Sequence, residues 1–397
     1  MRLIIILLIG VIFVEAQNIK SLINYSLKRH HSLKSIGYRL SSMDEYIEKA
    51  SLWKNPKINF GINDIQFRKP FSRSEERMQN QSFAFTQSLP WFNKLDAQKN
   101  LQEKKKKIIF YSLEEAKVAL AYNIRATAYT IKELEERIKI VKKYALLEKQ
   151  NISLYTDIIS TDEMSHSNSM NAQLSLANIE IRIEKYKAML KMQKEKLRYL
   201  VQKKVKNISN RLTIKKPKPL QYYLKRVKNS PSYHKKEASS FQAKAQKKLR
   251  DIEHYPDPFV KVGHYNRLNF PDYMSINVGL SLPIYGKERL NSQIAQKAIL
   301  QAQSNTLDFV EFLKSQIRMN YAQLNEAYRI YNIIQHKSLP QLKHLLELSA
   351  SAIEEGADLF TYTNILEEQL KLEEEKITMK GEYLRSLAKL KSLIGVL

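Results

Sequence analysis

Residues 91–216 contain neither glycine nor proline. Strands and tight turns draw on those residues for their special backbone angles, so a stretch this long without them reads as long helix. The apolar spacing agrees. Leu113, Leu120, Leu134 and Val141 recur by sevens, interrupted at Thr127, and Ile124, Ile131, Ile138, Ala145 and Ile152 form the complementary seam. A second heptad runs through Leu176, Ile183, Leu190 and Leu197, with Ile179, Tyr186 and Leu200 beside it. Such seams mark coiled-coil packing. Between the heptads lies Asn151–Ser169, rich in Ser, Thr, Asn and Asp, whose side chains compete for backbone hydrogen bonds. A reversal between two helices is expected there, its tip near 153–168, with the first helix beginning about Asp96.

The second half follows the same plan. Helix is expected from about Lys287 to Ala352, kinked at Pro340. A turn at "EEGADLF" (tip near 353–361) then leads into a helix from about Tyr362 to Leu393.

Before each long helix the period changes from helical to alternating. In "YMSINVGLSLP", Met274, Ile276, Val278, Leu280 and Leu282 point one way, and Ser275, Asn277, Gly279 and Ser281 the other. This is a strand with one apolar and one small, polar face, suited to a soluble core or to a membrane barrel with a polar lumen. "KINFGINDIQF" alternates through Ile58, Phe60 and Ile62 and slips phase at Asp64, as a bulge would produce. "SFAFTQSLP" sets Phe83, Phe85 and Leu89 on one side, and "PFVKVGHY" is a fourth strand with mixed faces. The strands pair into hairpins at 57–89 and 258–282. Trp53, Trp91, Phe92, Tyr255 and Tyr285 all fall where strands meet helices. An aromatic girdle at a membrane interface would place them there, and so would a plug between two packing layers.

The chain also repeats itself. "SLPWFNK" (Ser88–Lys94) returns as "SLPIYGK" (Ser281–Lys287), 193 residues on. Proline removes a ladder donor, so the strands should stop at Pro90 and Pro283. Asn93 and Gly286 tolerate the positive φ that a sharp redirection into helix needs. Two hairpins supply four strands. Four cannot close a barrel around a water-filled lumen, but several copies of the chain can pool theirs.

"MRLIIILLIGVIFVEAQ" pairs Arg2 with an apolar run from Leu3 to Val14 and small residues to Ala16, which reads as a signal peptide over 1–16. Cysteine is absent, so neither disulfides nor a lipidated cysteine hold the exported chain. Lys plus Arg number 66 against 40 Asp plus Glu, a net +26 that loss of Arg2 and Glu15 leaves unchanged. The excess is mostly lysine scattered along helices, so it reads as solvated surface, and nucleic acid is not an expected partner.

Taken together, these segments resemble the TolC-type outer-membrane efflux proteins, most closely the heavy-metal-efflux branch. "KNPKINFGI" (Lys54–Ile62) is similar to that family's lead-in to the first strand, and "SLPWFNKLDAQK" to its exit into the first long helix. The stretch Asn229–Tyr265 resembles the rising helix and Pro-Asp lead-in of the second repeat. "INVGLSLPIYGKERLNSQIAQKAI" is the most specific piece, and "EEGADLF" resembles the second tip turn. The resemblance implies a mixed, mainly α fold with an internal two-fold repeat, over 17–210 and 221–397. It implies a homotrimer in the outer membrane of a Gram-negative bacterium. Twelve pooled strands would form a transmembrane β-barrel in outer-membrane lipid, continued by a periplasmic α-barrel of long coiled-coil helices. Its partners would be a periplasmic adaptor (membrane fusion) protein and an inner-membrane pump.

Departures from the family pattern stand beside these matches. The second repeat has Ser230-Pro231 where the first has His30-His31 and no proline. The first tip lacks a glycine matching Gly356. The family's acidic ring positions fall near Tyr362 and Ile365 here, leaving Asp157, Asp162, Glu354, Glu355 and Asp358 as the candidate tip and gate residues, or as ordinary turn and cap residues. No nucleophile elbow, phosphate loop or HExxH occurs, and His336 and His344 stand two helical turns apart, too far to share a metal. No enzyme, cofactor or metal site is expected. The functional expectation is a passive exit duct of a tripartite efflux system, for metal cations or small toxic compounds. A protein-secretion duct, or an exported basic coiled-coil protein binding anionic surfaces, are the alternatives.

Overall fold

The computed structural model describes residues 18–91, 93–158, 163–354 and 359–397, with side chains at 154–158, 163–168, 352–354 and 359–360 left aside. The signal segment 1–16, Phe92, Asp162, Glu355, Gly356 and Asp358 therefore lie outside the described residues, and so do the side chains of Asp157 and Glu354. The elements run α1 (Ile19–Arg29), α2 (His31–Ser51), β1 (Lys57–Asn63), β2 (Asn80–Ser88), α3 (Lys94–Ile158), α4 (Glu163–Val201), α5 (Leu220–Leu224), α6 (Pro231–Ile252), β3 (Pro258–Asn266), β4 (Tyr273–Leu280), α7 (Lys287–Ile333), α8 (Leu339–Glu354) and α9 (Leu359–Leu393). The chain divides into two compact units, one of Ser35–Leu113 with Ser232–Phe309, the other of the residues up to Lys34, Glu114–Pro231 and Val310–Leu397.

Several boundaries differ from the sequence expectation. α3 begins two residues early, and its 65 residues span about 98 Å at about 1.5 Å each. The polar stretch Asn151–Ser169 is helical over 151–158 and 163–169, and the rest of it, 159–162, lies outside the described residues. Asp64 is no bulge. β1 stops at Asn63 and Asp64 takes φ 56°, a turn conformation that Asp tolerates. Pro340 is preceded by one π-helical turn, Ile334–Ser338. That turn sets aside a register in which the missing proline N–H would otherwise orphan a carbonyl. β3, whose faces are the most mixed of the four, is nine residues long and paired on both sides.

In the first unit the four strands form one antiparallel sheet in the order β1-β2-β3-β4. The hairpins join through β2 and β3, in the register Gln81↔Asn266 to Ser88↔Phe259. In the same unit, Ala97 and Leu101 of α3 pack against Ala245 and Leu249 of α6.

In the second unit the heptads supply the core. Ile124, Ile131, Leu134 and Val141 are buried, and so is the interrupting Thr127. Val141, Tyr144 and Ala145 of α3 meet Ile179 and Ile183 of α4 and Leu366 and Leu370 of α9. A polar chain crosses the same helices. Arg137 donates to Tyr186 at 3.3 Å, Tyr186 to Glu374 at 2.6 Å, and Arg182 to Glu374 at 2.9 Å. Glu133 holds Arg137 at 3.4 Å and also pairs with Arg385. These buried carboxylates fix which helix faces meet, because an unpaired one would be costly.

Candidate functional site at the sheet and its helix junctions

The register sorts every strand residue onto one of two faces. One carries Ile58, Phe60, Ile62, Phe83, Phe85, Pro258, Val260, Val262, Met274, Ile276, Val278 and Leu280, interrupted by Gln81, Gln87, His264 and Asn266. Much of this face is bare: Phe60 is 81% exposed, Ile276 72% and Val278 71%. The opposite face carries Lys57, Asn59, Ser82, Thr86, Lys261, Ser275 and Asn277 among glycines, Ala84 and three aromatics. β1 and β4 each have one strand partner, which leaves one edge of each unpaired in the single chain. No helix among the described residues is long and apolar enough to cross a membrane.

The first junction is built from both halves of the sequence. Pro258 O accepts the Leu89 N–H at 2.8 Å, the last rung before Pro90. The Trp91 N–H then donates to Asp257 Oδ1 at 3.0 Å, and Lys94 Nζ donates to the same oxygen at 2.6 Å and to Tyr255 O at 3.3 Å. Burial alone would raise the Asp257 carboxyl. The Lys94 ammonium and the Trp91 N–H outweigh it, with help from Lys54, and hold the pKa below the ordinary value. Trp91 stacks on Tyr255, centroids 5.5 Å apart and planes 5° from parallel. Asn93 takes φ 64° and its carbonyl starts α3 by accepting the Ala97 N–H at 2.9 Å.

At the second junction Gly286 takes φ 77° and its carbonyl accepts the Leu290 N–H at 3.1 Å, starting α7. Its surroundings differ. Pro283 and Lys287 follow β4, an edge strand, and Tyr285 is 92% exposed. The five aromatics thus divide: Trp91 and Tyr255 pack together, Trp53 and Tyr285 face outward, and Phe92 is outside the described residues. The repeated motif points to Pro90, Asn93, Pro283 and Gly286 but not to Asp257. The lysine that closes both copies of the motif is the available signal, since a repeated cation at a turn implies an anion to meet it.

Among the described residues no group of three or more His, Asp or Glu side chains is placed to hold a metal.

No protein-family model matches the chain, and no curated protein matches it by sequence. Solved structures do. CusC, described as undergoing conformational changes with folding and transmembrane channel formation, superposes with a TM-score of 0.79 at 12% identity, over 96% of this chain and 93% of that one. The CmeC outer membrane channel of Campylobacter jejuni gives 0.77 at 14% identity, over 96% and 86%. The outer membrane protein VceC of Vibrio cholerae gives 0.77 at 13%, over 95% and 96%. At such identities the likeness is one of fold. The chain has the mainly helical, four-stranded fold of the TolC-type outer-membrane channel proteins.

Proposed function

We propose that the protein is the outer-membrane exit duct of a tripartite efflux system, passively conducting metal cations or small toxic compounds delivered by an inner-membrane pump through a periplasmic adaptor. The observation that carries this is the sheet, apolar and bare on one face, polar on the other, and open at both edges. An isolated soluble domain would leave an exposed apolar patch and two pairing-competent edges, a combination that invites aggregation. Three copies pooling twelve strands put the apolar face into lipid and the polar face around a lumen. Residues 17–210 and 221–397 then act as two quasi-equivalent repeats, and the tips near 153–168 and 353–361 form the periplasmic end, where Asp157, Asp162, Glu354, Glu355 and Asp358 are the gate candidates. The heavy-metal-efflux branch is the finer assignment suggested by the sequence motifs.

The test is the native mass of the protein extracted in detergent from the outer-membrane fraction of a Gram-negative host. A detergent-dependent trimer supports the duct. A soluble monomer in the periplasmic fraction overturns it and favours a basic coiled-coil protein that binds anionic surfaces.

A further inference from the structure

We propose that Lys57 and Lys261 form a cationic ring in the lumen of the sheet and give the duct a preference for small anionic cargo, such as carboxylates, sulfonates or phosphates. The inference rests on the duct reading above and narrows its cargo to small anionic compounds, away from the free metal cations which that reading also allows.

The register carries the argument. Lys57 stands opposite Thr86, Thr86 opposite Lys261, and Lys261 opposite Asn277. The two lysines therefore lie in one cross-strand row, on the polar face, although 204 positions separate them in the sequence. They are the only Lys, Arg, Asp or Glu residues in the four strands. Neither has an ion-pair partner among the described residues, and their neighbours in the row, Thr86 and Asn277, are neutral.

The charge above and below that row is of both signs and partly paired. Toward the helices, a recess of about 520 Å³ is lined by Lys54, Lys57 and Lys94 and by Glu253, Asp257 and Glu288. There Asp257 is taken by Lys94 and Glu253 by Arg250. Toward the hairpin loops, Lys69 pairs with Glu75 at 3.1 Å, and Asp272 accepts from the Arg267 N–H at 3.0 Å and faces His264 at 3.5 Å. Within the strands themselves, charge is thus confined to the row of Lys57 and Lys261.

Three copies would bring six ammonium groups to one narrow band of the wall, as two rings of three offset by the strand tilt. A barrel of twelve strands lies between eight, which side chains fill, and about sixteen, which leave a wide aqueous channel. Lysines reaching inward from such a wall stand within one or two Debye lengths of the axis, since that length is about 8 Å at physiological salt. Rings of Lys or Arg favour anions in pores by this means. Free divalent cations would meet the ring as a barrier.

The cysteine-free chain allows a test that is independent of any gate at the far end. In the detergent-extracted full-length protein, Asn277→Cys puts a thiol beside Lys261. Its rate of modification is measured at low ionic strength with two methanethiosulfonates, the anionic sulfonatoethyl and the cationic trimethylammonioethyl reagent, each relative to free mercaptoethanol. The expected anionic-to-cationic ratio is about tenfold above that of the free thiol, which for reagents of opposite unit charge needs a local potential of only about one kT. It should fall to that of the free thiol when Lys57→Gln and Lys261→Gln are added with the native mass unchanged. A ratio equal to the free thiol's, or one indifferent to the two substitutions, overturns the ring and leaves the duct intact. A thiol that is water-reactive at Val278→Cys but not at Asn277→Cys reverses the faces, and overturns the duct with it.

Discussion

Lys94 donates to Asp257 across 2.6 Å, joining the end of one hairpin to the start of the other. Lys94 closes the first copy of the repeated motif, and Asp257 sits between two prolines at the lead-in to β3. With the Trp91–Tyr255 stack beside it, the pair fixes where β2 stops and α3 starts.

Removing either partner should loosen this junction. Lys94→Met or Asp257→Asn is expected to cost roughly 1–3 kcal/mol, the worth of a hydrogen bond to a charged group. A double-mutant cycle in denaturant should show coupling, because the two side chains share the interaction. The folded pKa of Asp257 lies below the ordinary 3.8, so its contribution is full above that value and is lost as pH falls through the folded pKa. The acid limb of the stability curve should therefore shrink in Asp257→Asn.

Two helical glycines should respond oppositely to the same change. A Cβ at Gly381 in α9 would stand 2.8 Å from the Glu133 carboxyl carbon and 2.9 Å from Arg385 Nη1, displacing a buried ion pair. Gly381→Ala is expected to destabilise by roughly 1–3 kcal/mol despite alanine's better helix propensity. At Gly37 in α2 nothing lies within 4 Å, and Gly37→Ala should gain up to about 1 kcal/mol. Thermal unfolding of the two variants side by side checks both signs.

His30 should make stability depend on pH near neutrality. It breaks α1 from α2, and its Nδ1 accepts the Ser32 N–H at 3.3 Å and lies 2.7 Å from the Ser32 hydroxyl. That leaves the proton on Nε2, which is buried without a hydrogen-bond partner at an edge-on contact with Tyr199. Burial, aided by His31, holds the pKa below 6.5. A lowered histidine pKa means that the unfolded chain binds the proton more readily, so this contribution is full above about pH 6.5 and is lost as pH falls through the folded value. His30→Asn keeps a capping acceptor and should flatten the loss between pH 7 and 5 in denaturant titrations.

The sequence repeat also specifies how copies should meet. Ser281 corresponds to Ser88, and Asn55-Pro56 to Asp257-Pro258, so the Ser88↔Phe259 register transfers to Ser281 opposite Lys57 of a second copy. Val278 then stands opposite Phe60. Oxidised Phe60→Cys/Val278→Cys should run as covalent dimers and trimers on a denaturing gel, with much weaker cross-linking for Ile62→Cys/Val278→Cys. Equal or reversed yields would refute this register.

Much of the architecture is legible in the chain itself. Residues without glycine or proline, carrying heptads such as Ile124, Ile131 and Val141, have few alternatives to long helix, and alternation from Met274 to Leu280 has few alternatives to strand. These are local matters, decided by φ/ψ preference and side-chain period within a few neighbours. The points where expectation and fold part are local as well, but contested. Asp64 could bulge or turn, and the polar run Asn151–Ser169 could cap or continue a helix. In each, two backbone outcomes lie close in energy, so local preference alone does not choose between them. What only the tertiary structure decided is partnership. Lys94 with Asp257, Glu133 with Arg385 beside Gly381, and Lys57 in one row with Lys261 depend on sheet register and helix contact across most of the chain. Such interactions leave no periodic trace, because the energy of an ion pair depends on distance in space and not on separation in sequence.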